Sequence, residues 1–154
     1  MYITDLSAGD QNHPTLIKHP TWEQIRNAIL DLDGCACNLV TIGKEYDKPE
    51  RKGDTEEFMA IAGGGDNNFY VCKYYSYENE YDELFLYDTS KSLTEEIEIV
   101  DVFPDVFPLA VCFNIDPILR AAKTYSFLGH RDKSFHWGYC SFNKSSQLEI
   151  IRVE

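Results

Sequence analysis

The sequence is short of positive charge: 14 lysines and arginines stand against 26 aspartates and glutamates, a formal net charge of −12 over 154 residues. Nucleic acid and anionic membrane surfaces are bound through basic faces, so this balance argues against both as partners and suits a basic protein instead. Solubility alone is the competing use for such acidity. Long apolar runs are missing too, and nothing approaches the roughly 18 residues that a membrane-spanning helix requires. Met1-Tyr2-Ile3-Thr4-Asp5 has neither the basic start nor the apolar core of a signal peptide, so the expected location is the cytoplasm. The cysteines (Cys35, Cys37, Cys72, Cys112, Cys140) are odd in number, scattered and mostly set in apolar runs, which predicts buried free thiols.

Signatures of catalysis are equally scarce. Gly63-Gly64-Gly65 lacks the Gly-Lys-Ser/Thr ending of a phosphate loop and opens a strand, not a helix. No Gly-x-Ser-x-Gly elbow occurs. Cys35-x-Cys37 has no second ligand pair. A catalytic carboxylate pair needs one desolvated member, whereas Glu78, Glu80, Asp82 and Glu83 lie in a polar segment. His130, Asp132 and His136 leave a small metal-dependent hydrolase open as an alternative, although further ligands would have to come from elsewhere. An Arg–Asp pair fixing a helix-to-strand turn at His130-Arg131-Asp132 is the simpler reading. No cofactor is expected.

What is present is a chain long enough for one domain, residues 1–154, with a real core. Its centre is Phe58-Met59-Ala60-Ile61-Ala62, the turn Gly63-Gly64-Gly65-Asp66-Asn67-Asn68, and Phe69 to Tyr75, which read as a β-hairpin. Phe58, Ala60 and Ala62 share one face of the first strand and Met59 and Ile61 the other; being apolar on both, it is expected at the middle of a sheet. Residues 1–20 read as an N-terminal arm or short edge strand, and residues 44–55 as a mobile polar loop. Thr21-Trp22-Glu23-Gln24 fits a capping box opening a helix, with Trp22, Ile25, Ala28, Ile29 and Leu32 on its buried side, Trp22 anchoring it to the sheet and Gly34 as a left-handed cap.

Strands are expected near 38–42, 83–87, 96–99, 109–113 and 148–153, with Phe135, Trp137 and Tyr139 on one face of another. In Glu96-Ile97-Glu98-Ile99 the isoleucines point inward and the glutamates outward. Phe103-Pro104 to Phe107-Pro108 reads as a bend. A second helix is capped by Asn114 or Asp116, buries Ile118, Ala121, Ala122, Tyr125 and Leu128, and closes at Gly129. The sum is an α+β fold: two main helices packed on an antiparallel or mixed sheet of about six to eight strands.

Three stretches carry a family resemblance. Trp22, Ile25, Ile29 and Leu32-Asp33-Gly34 come first, then Gly63-Gly64-Gly65 with Tyr70-Val71, and last Ala121-Ala122-Lys123, Tyr125, Gly129, Arg131 and Trp137. In that order they resemble the first-catalogued immunity-protein family of bacterial polymorphic toxin systems, the family that includes the inhibitor of a double-stranded-DNA cytosine deaminase toxin. The chain departs from that pattern where the Phe103-Pro104 to Phe107-Pro108 stretch replaces a Gly-rich segment, and in its long tail beyond Trp137. The resemblance implies a cytoplasmic α+β protein that binds and blocks a cognate toxin domain. Its motif residues (Trp22, Ile25, Gly34, Gly63, Gly64, Ala121, Ala122, Tyr125, Gly129, Arg131, Trp137) are structural.

A surface for such a partner is suggested separately by the residues. Tyr74, Tyr75, Tyr77 and Tyr81 alternate with Glu78, Glu80, Asp82 and Glu83, with Glu96 and Glu98 as neighbours. Tyrosine supplies large contact area at low entropic cost, and acids attract the Arg and Lys of a nucleic-acid-processing domain. The pattern suits a basic partner, and the resemblance implies that this partner is a toxin domain, expected to be a deaminase or nuclease. The alternatives are the hydrolase above and an adaptor module with no toxin partner.

Overall fold

A computed structural model describes residues 1–10, 12–45, 47, 50, 55–76 and 83–154. Its main sheet is antiparallel throughout and has eight strands in the order β10-β9-β6-β5-β4-β3-β1-β2. In chain order these are β1 (Asp5–Gly9), β2 (Thr15–Lys18), β3 (Leu39–Glu45), β4 (Thr55–Gly63), β5 (Tyr70–Ser76), β6 (Leu84–Tyr87), β9 (His136–Phe142) and β10 (Leu148–Arg152). A separate hairpin, β7 (Glu96–Val100) with β8 (Pro104–Pro108), completes the ten strands of the described residues, whose α-helices are α1 (Trp22–Leu30) and α2 (Ile115–Leu128). The α+β fold read from the sequence is the one observed.

The central hairpin is where the alternation put it. β4 and β5 lie inside the sheet, and Phe58↔Tyr75, Ala60↔Lys73 and Ala62↔Val71 face one side while Met59↔Tyr74 and Ile61↔Cys72 face the other. Met59, Ile61 and Cys72 join Leu6, Val40, Ile42, Leu84, Leu86 and Trp137 in the larger core, under Ile25 and Ile29 of α1 and Ile118, Ala121, Ala122 and Tyr125 of α2. Each such side chain removed from water stabilises the fold by about 1.5–3 kcal/mol. On the opposite face Ala62, Val71, Phe85 and Tyr87 pack against Ile99 and Phe107 of the β7–β8 hairpin. The hairpin covers only part of that face. It reaches Ala62 of β4 and Leu39 of β3; farther along that face Ser7, Thr41, Gly43 and Phe58 line an open groove.

Several expectations need correction. The first twenty residues are not an arm: β2 is the expected edge strand, but β1 lies between β2 and β3 and turns Leu6 and Ala8 toward the core, as an interior strand does. Thr21 and Gln24 do form the reciprocal capping box, yet α1 ends at Asp31 in a right-handed conformation; Gly34 is left-handed (φ 69°) in the turn beyond it. Trp22 sits beside Phe127 (ring centroids 6.5 Å) and under Lys123, so it pins α1 to α2 as well as to the core. The Pro104–Pro108 stretch is strand β8, not a bend: its prolines stand at the two ends of a strand paired on one side only, where a missing N–H costs little. Residues 109–111 form a buried 3-10 turn where a strand was expected, and Leu128 is exposed. Most of the loop expected at 44–55 lies outside the described residues; Lys44 and Glu45 end β3, and residue 55 begins β4.

The glycine motif has a packing reason. Asp33 and Gly64 form an antiparallel bridge, and a Cβ on Gly64 (φ 80°) would collide with the carbonyl oxygen of Leu32. Leu32-Asp33-Gly34 and Gly63-Gly64-Gly65 are therefore one contact made from two sequence stretches. At the end of α2, Gly129 (φ 71°) caps the helix and leaves room for the Tyr2 ring, which a Cβ would approach to 2.6 Å.

Candidate functional site

Strand alternation sends neighbouring tyrosines of β5 to opposite sides of the sheet. Tyr74 points to the helices and is buried. Its hydroxyl donates to Oε2 of Glu57, whose Oε1 accepts from Tyr2 at 2.7 Å and whose backbone carbonyl accepts from Tyr125 at 3.1 Å. Burial and the adjoining carboxylate push the Tyr74 phenol well above its ordinary pKa. Tyr74 is thus a core residue, and its place on a partner-binding surface is corrected.

Tyr75 faces the other way. Its ring stacks on Phe58 with centroids 4.5 Å apart and planes 14° from parallel, and its hydroxyl donates to Glu83. Burial and that carboxylate raise its pKa as well. Beside it the Lys73 ammonium reaches Asp101 at 2.8 Å and Glu83 at 3.2 Å, over the rings of Phe85 and Phe107. Burial opposes the charge on Lys73, but the hydrogen bond to Asp101 and the charges of Glu83 and Asp101 outweigh it, and the pKa is raised. Glu83 is consequently held by two partners and is not a free surface acid.

From the Phe58–Tyr75 stack the same face of the sheet continues to the β2 edge. A groove of about 210 Å³ runs there, lined by Phe58, Thr41, Gly43, Ser7 and Leu16 among others, with Asp5, Glu45 and Lys18 at its rim. Lys18 pairs with both acids, which raise its pKa. Leu16 is 74% exposed. On the β7–β8 hairpin, Glu96 and Glu98 are exposed while Ile99 is buried and Ile97 partly so, as the alternation predicts. Tyr77, Glu78, Glu80, Tyr81 and Asp82 lie outside the described residues. The structure therefore brings Tyr75 and Glu83 together, leaves Glu96 and Glu98 on the adjoining hairpin, and takes Tyr74 away.

Phe58 was read only as a strand residue. Its outward alternation opposite Tyr75 was the available signal; Asp101 had none, since only the hairpin's fold carries it to Lys73.

The three residues of the hydrolase alternative have separate surroundings. Asp132 accepts from Thr124 at 3.1 Å, from Arg120 at 3.3 Å and from the Ser134 amide at 2.9 Å, so it fixes the turn after α2 with Arg120 as the arginine. Burial works against its charge, but these hydrogen bonds prevail and its pKa is lowered. His130 lines a groove with Arg131 and Lys133, whereas His136 lines a different cavity with Asp88 and Lys91. Among the described residues no three His, Cys, Asp or Glu side chains are grouped as metal ligands. No helix among them is long and apolar enough to cross a membrane. Comparison with protein-family models, curated proteins and solved structures finds no match to this chain.

Proposed function

We propose that this chain is an immunity protein that neutralises a cognate bacterial toxin domain by stoichiometric binding, without a reaction of its own. The observation that carries the reading is the sheet face turned away from the helices. Its groove runs from the β2 edge to the Phe58–Tyr75 stack, with Asp5 and Glu45 at its rim and Glu96 and Glu98 exposed on the β7–β8 hairpin. An apolar, aromatic centre within an acidic rim matches the anatomy of a protein interface whose partner is basic. The net charge of −12 favours fast encounter with such a partner. The resemblance of the Trp22 to Trp137 motifs to the immunity family supplies the partner's class: a toxin domain that processes nucleic acid, a deaminase or nuclease, met in the cytoplasm.

Co-expression with the product of the adjacent gene tests this. Cells should survive the toxin when the wild-type chain is present, a one-to-one complex should co-purify, and Phe58→Ala should weaken the complex. Toxicity unchanged by the chain, with no complex recovered, refutes the reading.

A further inference from the structure

The β7–β8 hairpin rests on the main sheet by one face only. Ile97, Ile99 and Phe107 turn inward, with the Phe107 and Phe85 rings 6.3 Å apart. Alternation therefore turns Glu96, Glu98, Val100, Pro104 and Val106 outward, and the register sets Glu98 opposite Val106 and Val100 opposite Pro104. Phe103 lies in the turn between the strands and is 72% exposed. Pro104 beside it and Val106, 52% exposed, continue an apolar ridge along the outer face. A single exposed phenylalanine is ordinary, but an apolar ridge that ends in one marks an interaction surface.

The tip is anchored from below. The Lys73 ammonium meets Asp101 at 2.8 Å, the Asp101 N–H donates to the Phe103 carbonyl at 3.2 Å, and Asn67 Nδ2 donates to the Glu98 carbonyl at 3.0 Å. An aromatic ring carried on an anchored turn loses little entropy when a partner closes on it. Lys73 also pairs with Glu83, which accepts from Tyr75, so the tip adjoins the Phe58–Tyr75 stack.

Charge selects the occupant. No Lys, Arg or His occurs between Lys91 and Arg120, whereas Glu95, Glu96, Glu98, Asp101 and Asp105 lie on or beside the hairpin. Of these only Asp101 is in an ion pair among the described residues, and the other four are exposed. A second copy of the chain carries the same acids and is repelled, while a cleft with cationic walls is attracted. Domains that act on nucleic acid have such clefts, in which Lys and Arg track the backbone and bases stack on aromatic side chains. An aromatic ring between carboxylates offers that cleft what a base between phosphates offers.

We propose that the β7–β8 tip is the inhibitory element, with Phe103 seated where the toxin domain takes a base. Glu98 and Asp105, on either side of the tip, then meet the cations that hold the flanking phosphates. Inhibition is competitive with nucleic acid. This role rests on the immunity reading, and it names the segment that blocks and the place it fills.

The test uses the cognate toxin domain, sought first as the product of the adjacent gene and inactivated by mutation. It is loaded with whichever of a fluorescein-labelled DNA or RNA oligonucleotide it binds. The wild-type chain is expected to release the label, seen as a fall in anisotropy, and its apparent affinity should weaken in proportion to added unlabelled oligonucleotide. Phe103→Ala, which changes an exposed side chain and should keep the wild-type circular dichroism spectrum, is expected to bind the toxin roughly tenfold or more weakly. A ternary complex that retains its oligonucleotide, a toxin that binds neither oligonucleotide, or unchanged affinity of Phe103→Ala refutes this role while the toxin–chain complex itself still stands. A chain that forms no complex with the toxin refutes the immunity reading as well.

Discussion

The hydroxyl of Tyr2 donates to Oε1 of Glu57 at 2.7 Å, tying the start of the chain to β4 across 55 residues of sequence. Tyr74 occupies the other carboxylate oxygen and Tyr125 the backbone carbonyl, so three tyrosines close on one residue beneath the end of α2. Glu57→Leu removes the acceptor of two partly buried hydroxyls, and a loss of about 2–4 kcal/mol is expected; Tyr2→Phe should cost about 1–2 kcal/mol. Urea denaturation of the two variants measures both. A wild-type midpoint for Glu57→Leu would show that the cluster contributes nothing to stability.

Gly64→Ala should be more damaging than its one added carbon suggests. The new Cβ meets the backbone carbonyl of Leu32, which cannot rotate away as a side chain would, and the backbone sits at φ 80°. A destabilisation of about 3 kcal/mol is expected. Gly65→Ala, whose nearest atom is the Asp33 carbonyl at 2.8 Å, should be milder. Thermal denaturation of the pair checks the order, and equal melting temperatures would contradict it.

Stability should fall on the alkaline side. The Cys72 thiol is raised above the ordinary 9.0 by burial, and Tyr74 and Tyr75 above the ordinary 10.0 by burial and by their bonds to Glu57 and Glu83. Groups that hold protons more tightly when folded contribute their full stabilisation below the unfolded-state pKa and lose it as pH rises towards the folded value. The urea midpoint is therefore expected to be level near pH 7–8 and to drop above about pH 9–10, with Tyr75→Phe dropping less steeply. A midpoint that holds to about pH 11 would contradict this assignment.

How far the sequence could be read depends on the range of the signal. Alternation over Phe58–Ala62 and Glu96–Ile99 is local, and it placed the right side chains on the right faces. The capping box at Thr21 and the left-handed Gly129 are local too, and both were legible. Within residues 1–20 the edge strand β2 fits the reading, but β1 was missed because it has so few apolar positions that only its neighbours β2 and β3 reveal it as interior. Strand β8 failed because proline signals a break, and only the hairpin's edge makes Pro104 and Pro108 harmless. Tyr74 was misplaced for a related reason: a run of tyrosines looks like one surface until the strand's two-residue period divides it. The Lys73–Asp101–Glu83 cluster joins residues distant in sequence, and no local pattern announces it.

The most direct measurement is the association rate with the cognate toxin domain that the proposed function requires, sought first as the product of the adjacent gene and taken by stopped flow at low and high salt. The wild-type chain is compared with a variant carrying Glu80→Lys, Asp82→Lys, Glu96→Lys and Glu98→Lys. Binding steered by an acidic face predicts that the variant associates roughly tenfold or more slowly at low salt and loses most of the wild-type salt dependence. Equal rates for the two proteins at both salt concentrations would contradict the account.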